Sequence, residues 1–288
     1  KMTERLNPLM AYKPHPKVFV KLPTMGVYYK EGVVDLSDHE IGVCAMSAKD
    51  EMSLNNPEAL MNGRAVTQVI ENCVSAVKNA GELTSGDIEV LLMGIRLASG
   101  NKTYEVGGIC PNCGQKGVFE RDIDSVLSQI THIEEDEGVV LDTGLIIHLR
   151  PNTWKSHSNI QQMAFQRQRL MAVAQDESMD YETRKELFQE VFAGMIEINM
   201  QLITDCIHYI ESPEGNIDDS SFIREYIELL DKTTIQELSD KVEKLNNVGA
   251  PHTMDVMCSN PECNHVWTLE GLRYDPSHFF AQSSSIAQ

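Results

Sequence analysis

The sequence predicts an α+β protein in which β-hairpins carry a split four-cysteine zinc ribbon and a largely helical region is inserted between its halves. Three observations predict it. Cys110 and Cys113 occupy the turn of "GGICPNCGQKG", between two β-like segments. Cys258 and Cys263 occupy a second turn, "CSNPECNH", again between β-like segments. From about residue 154 to 248, apolar residues recur at the three-and-four spacing of helices.

Residues 1 to 16 contain Pro8, Pro14 and Pro16 with little periodicity, the mark of an extended arm. "KVFVKLP" (17–23) and "GVYYKEGVVDL" (26–36) carry the β-branched and aromatic residues of two strands, with Pro23 to Gly26 as their turn. Val66, Val69, Ile70, Cys73, Val74 and Val77 form one helical face, which buries Cys73 as a small hydrophobe. Thr84 and Asp87 make a start resembling a capping box. From there Ile88, Leu91, Leu92 and Ile95 form a buried stripe, and Gly100 ends the helix. Residues 102 to 123 read strand, cysteine turn, strand. "EGVVLDTGLIIHLRP" (137–151) reads as a hairpin turning at Asp142 to Gly144.

The helical region opens with a Gln-rich helix near 156–175. In the long helix that follows, Phe188, Val191, Met195, Ile198 and Leu202 form one stripe, and Phe192, Ile196, Ile203, Ile207 and Ile210 a second. Two stripes predict burial on two sides. Shorter helices are expected near 220–231 and 233–246, set off by Pro213 and Gly215. "HTMDVMCSNPECNHVWTLEGL" closes the pattern as strand, cysteine turn, strand. The expected organisation is therefore an arm (1–16), an α+β domain with the first knuckle (17–153), a helical region (154–250), and a second knuckle with a tail (251–288).

Bulk properties narrow the function. A chain of 288 residues with 42% hydrophobic and 23% charged residues is that of an ordinary globular protein. No apolar run approaches the roughly 20 residues needed to cross a bilayer, and "KMTERLNPLMAYKPHPK" lacks the apolar core of a signal peptide. A chain made in the cytoplasm, with no membrane segment, is expected. Its net charge of −19 repels phosphate backbones and argues against nucleic-acid binding. Seven cysteines in a non-secreted chain argue for reduced thiols, so Cys-x-x-Cys points to metal or redox chemistry before a disulfide.

Zinc takes four ligands in a tetrahedron, and two turns that each aim two sulfurs at one point supply them: Cys110, Cys113, Cys258 and Cys263. Four thiolates leave no open position for water, so the expected Zn2+ is structural. The two pairs are far apart, whereas a compact ribbon separates them by roughly 15–20 residues. The ribbon is split. A redox pair would set its first cysteine at a helix N-terminus, whereas "CPNCGQKGVFE" runs on into a strand. His265 is the alternative to one of the cysteines.

Elsewhere the sequence offers no catalytic set. Cys44, Cys73 and Cys206 read as core or half-buried thiols, and His39 with Cys44 matches no nucleophile signature. There is no His-Glu-x-x-His, phosphate-binding glycine loop or Gly-x-Ser-x-Gly elbow. The acidic run "HIEEDEG" (132–138) reads as a solvated loop, Trp154 and Trp267 as packing residues, and the pair Phe279 and Phe280 as a candidate docking point.

The order of parts resembles a known family. "VKLPTMGVYYKEGVVDL", "LMNGRAVTQVIENCV" and "LTSGDIEVLLMGIRLASGNKTYEVGGICPNCG", followed by a late second knuckle, are similar to the baseplate hub subunits and hub assembly factors of T-even-like, contractile-tailed bacteriophages. The likeness covers residues 18–125 well and the stretch from Cys258 to Phe280 loosely. It implies a non-enzymatic role in forming or assembling the centre of a baseplate, with other baseplate and tail proteins as partners and no small-molecule substrate. The expected location is the virion tail, or the host cytoplasm during assembly. The metal is not implied by the resemblance. The alternative function is a zinc-ribbon regulator of transcription or another nucleic-acid machine, against which the charge weighs.

Overall fold

A computed structural model describes residues 15–36, 40–54, 56, 59, 63–134, 138–174 and 180–272. Most of the expected N-terminal arm and the Phe279–Phe280 pair lie outside these residues, as does the centre of the acidic run.

β1 (Val18–Val20) pairs antiparallel with β2 (Ile41–Val43), Val18 facing Val43 and Val20 facing Ile41. The segment 26–36 is not the partner expected for it. Residues 23–28 are turns, with Met25 at φ 52° and Gly26 at φ 79°. What overrides β propensity here is Tyr29. Its hydroxyl donates to the buried Asp87 carboxylate and accepts the Thr84 N–H at 2.9 Å, fixing the loop on the helix below.

α1 (Ala48–Leu54) and α2 (Arg64–Cys73) lead to α3 (Ser85–Ala98), around which the first core forms. Ile88, Leu91, Leu92 and Ile95 are buried as expected, and Gly100, at φ 95°, follows the helix end. Thr84 caps α3, accepting the Asp87 N–H at 3.3 Å. The Thr84 N–H donates to Tyr29 rather than to Asp87 as in a capping box, and Asp87 accepts from Thr24 and Tyr29. α3 approaches the β1–β2 pair at Gly94, where a Cβ would stand 3.1 Å from Val20 Cγ1.

β3 (Thr103–Ile109) and β4 (Lys116–Asp122) form the first cysteine hairpin, followed by the short α4 (Ile123–Leu127). β5 (Val139–Val140) and β6 (Ile146–Leu149) form the expected hairpin. α5 (Trp154–Ala174) packs with α6 (Tyr181–Cys206), Arg167 reaching Glu190 at 3.4 Å.

The long helix stops earlier than its pattern predicts. Ile207–Ser212 is β7, which pairs with β6 on one side and with β8 (Gly215–Ile217) on the other, giving a four-stranded antiparallel sheet of order β5-β6-β7-β8. Pro213 and Glu214 are its turn rather than a break between helices. The two-sided burial of α6 is also corrected: Val191 and Ile203 are buried, while Phe192, Met195 and Ile196 face outward. α7 (Ser220–Ile227) and α8 (Lys232–Asn246) cover the sheet and complete a second core around Ile147, Leu149, Ile210 and Leu238. β9 (Met254–Met257) and β10 (Val266–Leu269) form the second cysteine hairpin.

Candidate metal centre

Both cysteine turns are built alike. In the first, the Cys110 N–H donates to Gln115 O and the Gly114 N–H to Cys110 O, each at 2.9 Å. In the second, the Cys258 N–H donates to His265 O at 2.9 Å and the Cys263 N–H to Asn260 O at 3.0 Å. The residue after the second cysteine of each turn is left-handed: Gly114 at φ 73° and Asn264 at φ 46°. Glycine carries no penalty there and asparagine a small one. Asn264 also donates from its side chain to Pro261 O at 2.8 Å.

The two hairpins are held together by side chains. Arg121, on β4 and nearly buried, donates to Pro251 O at 2.6 Å, to Thr253 O at 3.2 Å and to the Tyr104 hydroxyl at 3.2 Å. Phe119 meets Trp267 edge to face at 5.7 Å between ring centroids. At Gly108 a Cβ would fall 2.6 Å from Leu269 Cδ2, so the end of the Leu269 side chain packs directly on the β3 backbone.

Across this contact the sulfurs of Cys110, Cys113, Cys258 and Cys263 all lie within 4.8 Å of one another. Cys110 Sγ is 3.9 Å from Cys263 Sγ, and Cys113 Sγ is 3.5 Å from Cys258 Sγ, although the latter pair is 145 positions apart in sequence. A disulfide needs about 2.05 Å. Four sulfurs about 2.3 Å from one tetrahedral ion stand roughly 3.8 Å apart. The observed separations suit the second arrangement.

The four sulfurs could hold a metal ion. Cys263 is drawn down to about 7 by the Asn112 side-chain amide, which donates to its sulfur at 3.2 Å, and by the His265 backbone N–H. For Cys258 the Asn260 N–H, at 3.4 Å, favours the thiolate. Burial and the neighbouring sulfurs of Cys113, Cys110 and Cys263 outweigh it and push the group up to about 12. Four adjacent thiolates repel one another unless a positive ion lies among them. An all-sulfur tetrahedron suits a soft ion such as zinc or iron.

His265 is not one of the four; its ring lies nearly parallel to Trp267 at 6.2 Å. Cys73 and Cys206 are buried, Cys44 half-buried. Burial is the first cause pushing both the Cys73 and Cys206 thiols up to about 12, which makes them poor nucleophiles. Trp154 opens α5 and donates from its indole to Gly63 O at 3.2 Å. Sequence reasoning missed Arg121 and Asn112. A lone arginine among alternating residues of β4 was the available signal for the first, and the second carried none.

Fold and site define an α+β protein closed by two cysteine knuckles from distant parts of the chain. The chain belongs to the family described as T4 bacteriophage base plate protein, which it matches over residues 21–281. Comparison with curated proteins and with solved structures gave no match. Membership makes the chain a component of a T4-like phage baseplate, placed in the virion tail among other tail proteins. Among the described residues no helix is long and apolar enough to cross a membrane.

Proposed function

We propose that the chain is a non-enzymatic part of the baseplate hub, or a factor that assembles it, in which Cys110, Cys113, Cys258 and Cys263 hold one structural Zn2+. The observation that carries the metal assignment is the meeting of four sulfurs within 4.8 Å from two turns otherwise far apart in the chain. The ion would neutralise the thiolates and fasten β3–β4 to β9–β10, contributing on the order of 10 kcal/mol to folding. Its four ligand positions would be filled by sulfur, which favours a structural over a catalytic role. The hub assignment is supported by the family match together with the Leu-Pro start and the Asp-Ile-x-x-Leu-Leu helix.

Elemental analysis of the purified chain is expected to return one zinc, lost in Cys113→Ser and in Cys258→Ser. A folded chain with no metal, in which Cys110, Cys113, Cys258 and Cys263 all react with a thiol reagent, would remove the zinc assignment. Mass spectrometry of purified tails and of hub intermediates is expected to find the chain in the hub fraction. Its confinement to peripheral baseplate pieces would refute the hub assignment.

A further inference from the structure

A cleft of about 610 Å3 lies away from the cysteines, between the Val27–Lys30 loop, the start of β7 and the approach to α7. Its lining balances two cations against two carboxylates, Asp205 and Asp218, in a chain that is strongly acidic. Acidic residues outnumber Lys and Arg 43 to 24 in this chain, yet this wall carries Arg150 and Lys30 without a carboxylate on either. Arg150 uses its Nε toward Asp205 O at 3.4 Å, and its terminal nitrogens take no acceptor among the described residues. The exposed Lys30 ammonium likewise makes no ion pair or hydrogen bond among them.

Two acids line the cleft as well. Asp205 accepts from Ser156 Oγ and, at 2.7 Å, from Gln201 Nε2, and Asp218 is solvent-exposed. Burial first, then the charges of Arg150, Lys30 and His148, hold the His208 pKa below the usual histidine value, against the opposing charge of Asp218. The His208 ring meets Tyr28 edge-on at 5.8 Å and Tyr209 at 5.3 Å, so aromatic surface flanks the cations.

The backbone beside these groups is also open. β8 pairs only with Ile210–Ser212, so Ile207–Tyr209 have β6 on one side and no strand on the other among the described residues. A strand edge of this kind accepts an extended polypeptide. A nucleic acid would meet the repulsion of a chain carrying −19.

We propose that this cleft seats an acidic, extended segment of a neighbouring tail protein, its carboxylate held by Arg150 and Lys30. The inference rests on the chain being a baseplate component and is independent of the cysteine cluster. Arginine binds carboxylates through two parallel N–H donors, and lysine adds a mobile second charge.

Carbodiimide cross-linking tests it, because that reagent joins a lysine amine to a carboxylate in direct contact. The samples are tails, or assembly intermediates, in which the chain is detected, so its presence in the hub fraction is read separately from the state of the cleft. Lys30 is expected to be joined to an Asp or Glu of a different tail protein. Arg150→Gln should lower that yield about tenfold, and Arg150→Lys should keep most of it. Melting temperatures of both variants monitor the fold. Should Arg150→Gln fail to fold, half-molar salt must lower the Lys30 yield relative to cross-links elsewhere in the same spectrum. Lys30 joined only within its own chain or to a second copy of it, or to nothing, overturns the proposal. So does a yield that neither Arg150→Gln nor salt changes.

Discussion

The carboxyl of Asp87 is completely buried at the first turn of α3, where the Thr24 N–H donates to it at 3.0 Å and the Thr24 and Tyr29 hydroxyls donate beside it. Burial raises its pKa from 3.8 to about 6, against the pull of those donors. A carboxyl whose folded value lies above its unfolded one favours the fold when protonated. That stability is complete below pH 4 and lost as pH rises through 6. The shift corresponds to about 3 kcal/mol. Asp87→Asn cannot ionise, so between pH 4 and 7 its stability relative to the parent is expected to improve by up to that amount. Paired denaturation curves at the two pH values read this, and a difference that stays flat would place Asp87 at its ordinary value. Tyr29, held well above 10 by burial and by the Asp87 charge, stays protonated throughout and keeps the 23–36 loop in place.

At the scale of elements, the two cysteine hairpins depend on each other. Arg121→Met removes donors from Pro251 O and Thr253 O and should cost about 2–3 kcal/mol. Thermal melts measure that loss, and an unchanged midpoint would deny Arg121 its role as clamp. On the zinc proposal, a chelator should raise amide exchange in β3–β4 and β9–β10 while leaving α2 and α3 protected, since Val69, Leu91 and Ile95 lie in a separate core. The hairpins and α3 were legible in the sequence because each is set by local signals: a cysteine turn between alternating residues, or a cap followed by a four-residue stripe. β7 was not. Ile203, Ile207 and Ile210 continue the spacing of α6, and only the edge of β6, some 60 positions earlier, turns Ile207 onward into a strand. The partner of β1 was misread for the same reason, since Tyr29 and Asp87 lie 58 positions apart. The candidate site was legible as four cysteines, but the contacts that align them come from Arg121, whose acceptors lie 130 and 132 positions away.

For the molecule as a whole, −19 is a substantial self-repulsion in one compact chain. Raising ionic strength from 0.05 to 0.5 M is expected to raise the melting temperature, because the Debye length falls from roughly 14 to 4 Å. Differential scanning calorimetry at the two salt levels decides it, and a fall in melting temperature would mean that ion pairs outweigh repulsion. The same field should slow encounters with other acidic surfaces and speed those with basic ones.

Of the two cysteine hairpins, β9–β10 is made second. Cys258 leaves the ribosome 145 positions after Cys113, a delay of about 7–29 s at 5–20 residues per second. During that interval the first thiol pair has no counterpart, and Arg121 lacks the carbonyls of Pro251 and Thr253. A product cut short within the helices would therefore leave the β3–β4 surface that normally receives Trp267 and Leu269 uncovered. The surface shared by the two hairpins thus exists only after both cysteine turns have been synthesised.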